Sequence, residues 1–238
     1  YAWDHRAQYL DEVKAAVPHA LTMLGEPAFP EHLTALVPSS REEVEMLSGD
    51  GSSGWADPLG RNFAIVARAE CVAVFKHETM HVVSLLLWGN PMSKSATFSV
   101  EMQPDTFMQT GWLREGIASA AENHWGNYSH RGLAAQWQAE GGLLPLDSLV
   151  NAYYRMDDLT AVVQSGTLVY YLIETYGPAK FHSVWRHGIA EVDSAYGKTA
   201  RQIEADWQAW LRKTPKSERP KSIAIAIEEN RCPRRRPR

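Results

Sequence analysis

The chain has 238 residues, 24 Lys/Arg against 28 Asp/Glu for a net charge of −4, and 45% hydrophobic with 22% charged residues. That balance is ordinary for a soluble protein, and the length suits one large domain with a packed core. The uncharged run 82–91 is too short to span a bilayer, and two cysteines cannot make a disulfide framework, so both a transmembrane segment and a disulfide scaffold are excluded. Residues 2–17 read as an amphipathic helix ended by Pro18, and 33–38 as a short apolar strand. Ser39, Arg41 and Glu42 then read as a capping box that opens a helix stopping at Gly49. Residues 50–60 are rich in Gly, Ser and Asp and read as a loop. A buried strand is expected at 62–67, leading into residues 69–88, which hold neither Gly nor Pro and read as a helix. A strand is expected at 96–100 within a long connection, and a short helix of small and apolar residues at 112–123. Residues 159–176 have helical periodicity and end at Gly177, with Pro178 placed to start the next helix. Thr199 and Gln202 form a second capping box ahead of Ile203, Trp207 and Leu211. A few strands near the first long helix and a mostly helical second half give an α+β fold.

Composition changes at residue 213. Residues 213–238 carry nine Lys/Arg and three Asp/Glu, a net +6 that leaves −10 on residues 1–212. The expected division is therefore a folded domain over 1–212 and a linker with a basic C-terminal tail over 213–238. Five arginines in the last eight residues suit weak contact with an anionic surface, and the alternating isoleucines of 223–227 would share one face of a strand. Cys71 reads as a small buried hydrophobe. The first residue is Tyr1, so a processed or trimmed chain is expected, with any targeting segment upstream and the compartment leaning extracytoplasmic.

The chemistry is concentrated in His77-Glu78-Thr79-Met80-His81. Histidines at i and i+4 leave one face of a helix a turn apart, close enough for both rings to reach one Zn²⁺ at about 2.0–2.1 Å. Glu78 follows the first ligand and is placed to take a proton from an attacking water instead of binding the metal. A catalytic zinc needs a third protein ligand and an open position. The pattern that supplies a glycine and a third histidine three and six places on is excluded, because Ser84 and Leu87 stand there. Acidic candidates downstream are Glu101, Asp105, Glu115 and Glu122. Glu115 is the best placed, since its neighbours are small or apolar and a carboxylate on such a face costs several kcal/mol unless a cation pairs it. Ala118, Ser119, Ala120 and Ala121 would let its helix pack closely on the histidine helix.

This His-Glu-x-x-His helix followed by Trp112-Leu113-Arg114-Glu115-Gly116-Ile117-Ala118 resembles the gluzincin metallopeptidases, particularly the compact bacterial peptidase MA-like domains. Segments 39–49, 54–58, 143–146, 164–177 and 196–211 are also similar to such domains, so the resemblance covers roughly residues 20–212. It implies a zincin-like fold with a small N-terminal sheet beside the motif helix, His77, His81 and Glu115 as Zn²⁺ ligands, and Glu78 as general base. Two departures stand out: 33 residues separate His81 from Glu115, and Val163 precedes Gln164-Ser165-Gly166 where a tyrosine is expected.

The expected function is hydrolysis of a peptide or protein substrate. Glu78 would accept the proton of the attacking water and pass it to the leaving amine, with the metal polarising the carbonyl. Tyr170, Tyr171, His124 and His182 are the candidates for an oxyanion donor, with both tyrosines favoured because their helix opens in the family-like segment at 164–166. Ser119, one turn after Glu115, is a candidate to hydrogen-bond a ligand. Two other readings stand beside the peptidase. One is a zinc-site protein without peptidase activity that acts as a binding module, favoured by Val163 and opposed by Glu78. The other is a basic-tailed interaction protein whose motif is accidental, which metal analysis would settle.

Overall fold

A computed structural model describes residues 4–49, 51–67, 74–93, 95, 97–99 and 104–229. A small mixed sheet and its helices come first, and a mostly helical region follows, in the α+β arrangement of zincin-like folds. Helix α1 (Arg6–Leu24) leads to β1 (Thr34–Leu36), α2 (Arg41–Ser48), β2 (Gly54–Asp57) and β3 (Asn62–Ile65). The motif helix α3 (Phe75–Trp88) and α4 (Pro104–Glu122) follow, then a two-stranded ribbon of β4 (His124–Trp125) and β5 (Tyr128–Ser129). The remainder is α5 (His130–Ala139), α6 (Leu146–Asn151), α7 (Asp158–Tyr176), α8 (Pro178–His187), α9 (Val192–Tyr196), α10 (Ala200–Arg212) and α11 (Ile223–Glu229).

The sheet order is β1-β3-β2, with β3 parallel to β1 and antiparallel to β2. Period-two alternation along β3 explains why this strand is central. Phe63 and Ile65 pack with Phe75 and Val82 of α3, while Ala64 and Val66 pack with Val44 of α2. Both faces are thus covered, and β2 is left at the edge. Beneath α3 lies the main core, where Trp88, Trp112, Phe181, Trp185 and Trp207 are all buried. Helix α4 is held between α3 and α7. Gly116 and Gly166 permit the second of these crossings: a Cβ on Gly116 would stand 2.7 Å from Val169 Cγ2, and one on Gly166 2.7 Å from Ser119 Cβ. The small residues of α4 therefore serve contact with α7 as well as with the histidine helix.

Several sequence expectations shift in the folded chain. Helix α1 runs on through Pro18. Its buried residues Ala16, Ala20 and Leu24 share one face, and their packing offsets the roughly 3 kcal/mol that an internal proline costs. The capping residue of α2 is Ser40, which accepts from Glu43 N–H, while the Glu43 carboxylate takes the N–H and hydroxyl of Ser39. Residues 50–60 hold the strand β2, which their Gly/Ser/Asp content concealed. The isoleucines of 223–227 form the helix α11, with Ile223 and Ala226 buried at helical spacing. The strand expected at 96–100 falls largely outside the described residues, as do Glu101 and Cys71. No helix among the described residues is long and apolar enough to cross a membrane.

Candidate metal centre

Two helices supply the ligands. His77 and His81 lie one turn apart on α3, their rings edge to face with centroids 4.7 Å apart and their Nε2 atoms 3.1 Å apart. Glu115 comes from α4, and its Oε2 lies 3.5 Å from His77 Nε2 and 3.3 Å from His81 Nε2. A tetrahedral zinc with bonds of about 2.0–2.1 Å needs ligand atoms about 3.3–3.4 Å apart. The triangle of one carboxylate oxygen and two imidazole nitrogens meets that requirement without movement of any helix. Zinc therefore fits the residues present. Among the described residues these three form the one His/Cys/Asp/Glu group that gathers in this way. His77-Glu78-x-x-His81 with the distal Glu115 matches the gluzincin zinc-binding geometry, and the centre is that of a zinc hydrolase.

The two histidines keep Glu115 in the ionised form that ligation requires. Burial works against an ionised Glu115, but the neighbouring charge of His81 and hydrogen bonds to His77 and His81 reverse it and hold the carboxyl well below its ordinary range. Glu78 is only 6% exposed, and burial raises its carboxyl to about 7, with the charges of Glu115 and Glu122 adding to the effect and His77 opposing it. A divalent cation beside it favours the ionised, proton-accepting form.

The motif helix has no local cap: Val74 precedes it and makes no side-chain cap hydrogen bond. Glu122 supplies one from α4. Its Oε2 accepts the backbone N–H groups of Lys76 at 3.1 Å and His77 at 3.3 Å, and its Oε1 lies 3.4 Å from His124 Nδ1. This carboxylate is thus a clamp at the first turn of α3, and it stays outside the ligand triangle. The hydrogen bond and charge of Glu122 raise the His124 pKa, against partial burial.

The centre opens into a cleft of about 700 Å³. Edge strand β2 forms one wall, and Leu85, Phe98, Trp125 and Val162 add apolar surface to a lining that also holds Ser99, Arg114 and His130. Of the four candidate oxyanion donors, His124 lines this cleft. Tyr170 and Tyr171 are placed elsewhere, with their rings 6.2 and 5.8 Å from that of Trp210. His182 stacks on Trp88 at 4.5 Å. Val163 is buried with Leu133, Trp137, Ile223 and Ala226, so a tyrosine at this position would enter that cluster, whereas Val162 faces the cleft. Ser119 hydrogen-bonds His130 and none of the three ligands. Its hydroxyl and carbonyl lie 3.1 and 3.0 Å from His130 Nδ1, and His130 ties α4 to the β4–β5 ribbon that carries His124. Sequence reasoning missed the clamp by Glu122 and the wall formed by β2, the first because α3 starts at Phe75, inside the stretch 69–88 that reads as one helix.

No family model matches the chain, and no curated protein matches it. The assignment therefore rests on the site.

Proposed function

We propose that the protein is a zinc-dependent metallopeptidase that hydrolyses peptide bonds with Glu78 as general base. The single observation that carries this reading is the ligand triangle of His77, His81 and Glu115 with an uncoordinated, buried glutamate next to the first ligand. A purely structural zinc site has four protein ligands and no use for such a base. Bound at this triangle, zinc supplies Lewis acidity, polarising the scissile carbonyl and making the attacking water more acidic. Glu78 orients that water, accepts its proton and delivers it to the departing amine. His124 stands on the cleft with its ring held by Glu122, and in its protonated form it donates to the developing oxyanion. The Tyr170 and Tyr171 rings lie against Trp210, which favours His124 for that part. Residues 1–212 contain all of these groups, so the catalytic machinery is assigned to them.

A quenched peptide library incubated with zinc-loaded protein tests the activity, with Glu78→Gln as control. Cleavage that disappears on chelation, returns with zinc and is lost in Glu78→Gln is the expected result. The reading fails if the zinc-loaded protein cleaves nothing in a broad library and in denatured protein substrates.

A further inference from the structure

Gly54 opens the edge strand β2, where it pairs with Ile65 across the sheet. Glycine within a strand is unfavourable, because it contributes no packing and loses more backbone freedom than any other residue. A turn conformation does not explain it, since Gly54 is not among the residues with positive φ. Space does. The three heavy atoms nearest to a Cβ placed on Gly54 all belong to Glu78: a carboxylate oxygen in direct overlap, Cδ at 2.9 Å and Cγ at 3.3 Å. The strand is fixed on its own side, where Val66 N–H donates to the Ser53 carbonyl at 2.9 Å and the Ser52 hydroxyl donates to the Gly54 carbonyl. Glu78 is nearly fully buried, with its backbone held inside α3. Any added methyl is therefore relieved by displacing the carboxylate end.

We propose that Gly54 is a positioning residue for Glu78: the edge strand carries no side chain there so that the carboxylate stands against the strand backbone and faces the water-attack position. The role rests on the metallopeptidase reading for its chemical meaning and on the Gly54–Glu78 contact for its physical content. It makes the cleft wall formed by β2 part of the catalytic apparatus. The strand fixes where the base can be, and the helix fixes where the metal can be.

Two measurements test it. The first is a double-mutant cycle on melting temperature in zinc-free protein, which needs neither substrate nor activity. In a Glu78→Ala background the space is empty and the backbone conformation ordinary, so Gly54→Ala raises the melting temperature by about 1–4 °C. In the wild-type background the same substitution meets the carboxylate, and the gain disappears or reverses. The second uses zinc-loaded enzyme. Gly54→Ala keeps one zinc per chain, lowers kcat about 10²-fold with KM little changed, and causes no further loss in Glu78→Gln. Equal melting shifts in both backgrounds overturn the contact, and near-normal kcat in zinc-loaded Gly54→Ala overturns the role. A failure of the peptidase reading leaves the first measurement valid, so the two failures are distinguishable.

Discussion

The Glu122 carboxylate accepts the backbone N–H of His77 at 3.3 Å, so the helix that supplies the third ligand also caps the helix that supplies the first two. With the Lys76 N–H taken at 3.1 Å, one side chain satisfies two of the four donors that a helix start leaves unpaired. Its negative charge also suits the positive end of the helix dipole. Glu122→Ala is expected to lower stability by about 1–3 kcal/mol through those part-buried donors. Zinc stoichiometry should remain at one. Chemical denaturation and elemental analysis of the same variant check both, and an unchanged stability would show that the clamp is idle.

Glu115→Ala should behave in the opposite way. The substitution removes a ligand atom 3.3–3.5 Å from both histidine nitrogens while leaving the α3 cap in place. Zinc affinity is expected to fall by more than the roughly 10–100-fold typical of losing an outer-shell partner. Competition with a chromogenic chelator measures it. If Glu122→Ala strips the metal and Glu115→Ala keeps it, the third ligand has been misassigned.

Glu78→Gln keeps size and much of the packing but cannot accept a proton. The ligand triangle does not include Glu78, so zinc should still bind at full stoichiometry. Loss of general-base catalysis typically lowers the rate about 10²–10⁴-fold. Single-turnover assays on a peptide found by library screening provide the number, and near-normal turnover by this variant would rule out the base.

What could be read beforehand was local. The i, i+4 histidines, the glutamate between them and Glu115 among small residues each announce themselves within a few positions, and so do Gly49 and Gly177 as helix ends. Long-range partners leave no such local mark. The role of Glu122 depends on its reaching residues 45 and 46 positions earlier in the chain. Strand β2 hides because its flanks hold turn residues, and its pairing with β3 decides its conformation. Tyr170 and Tyr171 follow a family-like segment, yet the turn of α7 points them at Trp210. Helical phase, not proximity in sequence, determines which side chains see the cleft.

His130 gives a prediction in pH. Burial is the main reason its pKa falls to about 3, with the charges of His77 and His124 adding to the effect and hydrogen bonds from its ring to the Ser119 and His124 backbones opposing it. The unfolded chain binds this proton below about 6.5 and the folded chain only near 3. Between those values the unfolded state holds more protons, so stability falls as pH falls, by up to about 1.4 kcal/mol per pH unit from this group. The stability difference between wild type and His130→Asn should therefore shift toward the variant as pH drops from 6.5 to 4.5. Denaturation curves at those pH values decide it, and a difference independent of pH would mean that His130 titrates normally.

The described residues beyond the composition break at 213 pack against upstream helices. Arg131 Nε donates to Thr214 Oγ1 at 3.1 Å, and its Nη2 donates to the Trp210 carbonyl at 3.0 Å. Ile223 and Ala226 of α11 are buried with Leu133, Trp137 and Val163, and the Tyr128 hydroxyl donates to Glu229 at 2.8 Å. Removing 213–238 uncovers the Leu133–Trp137–Val163 face. Exposing one isoleucine and its apolar neighbours costs about 2–4 kcal/mol, which for a chain of this size lowers the melting temperature by roughly 4–16 °C. Zinc should still bind, because all three ligands belong to α3 and α4. Hydrolysis should survive at temperatures below the new transition. A 213–238 deletion that melts with the full-length protein would show that α11 adds nothing to the core, and one that loses its zinc would make the segment ending in α11 part of the site.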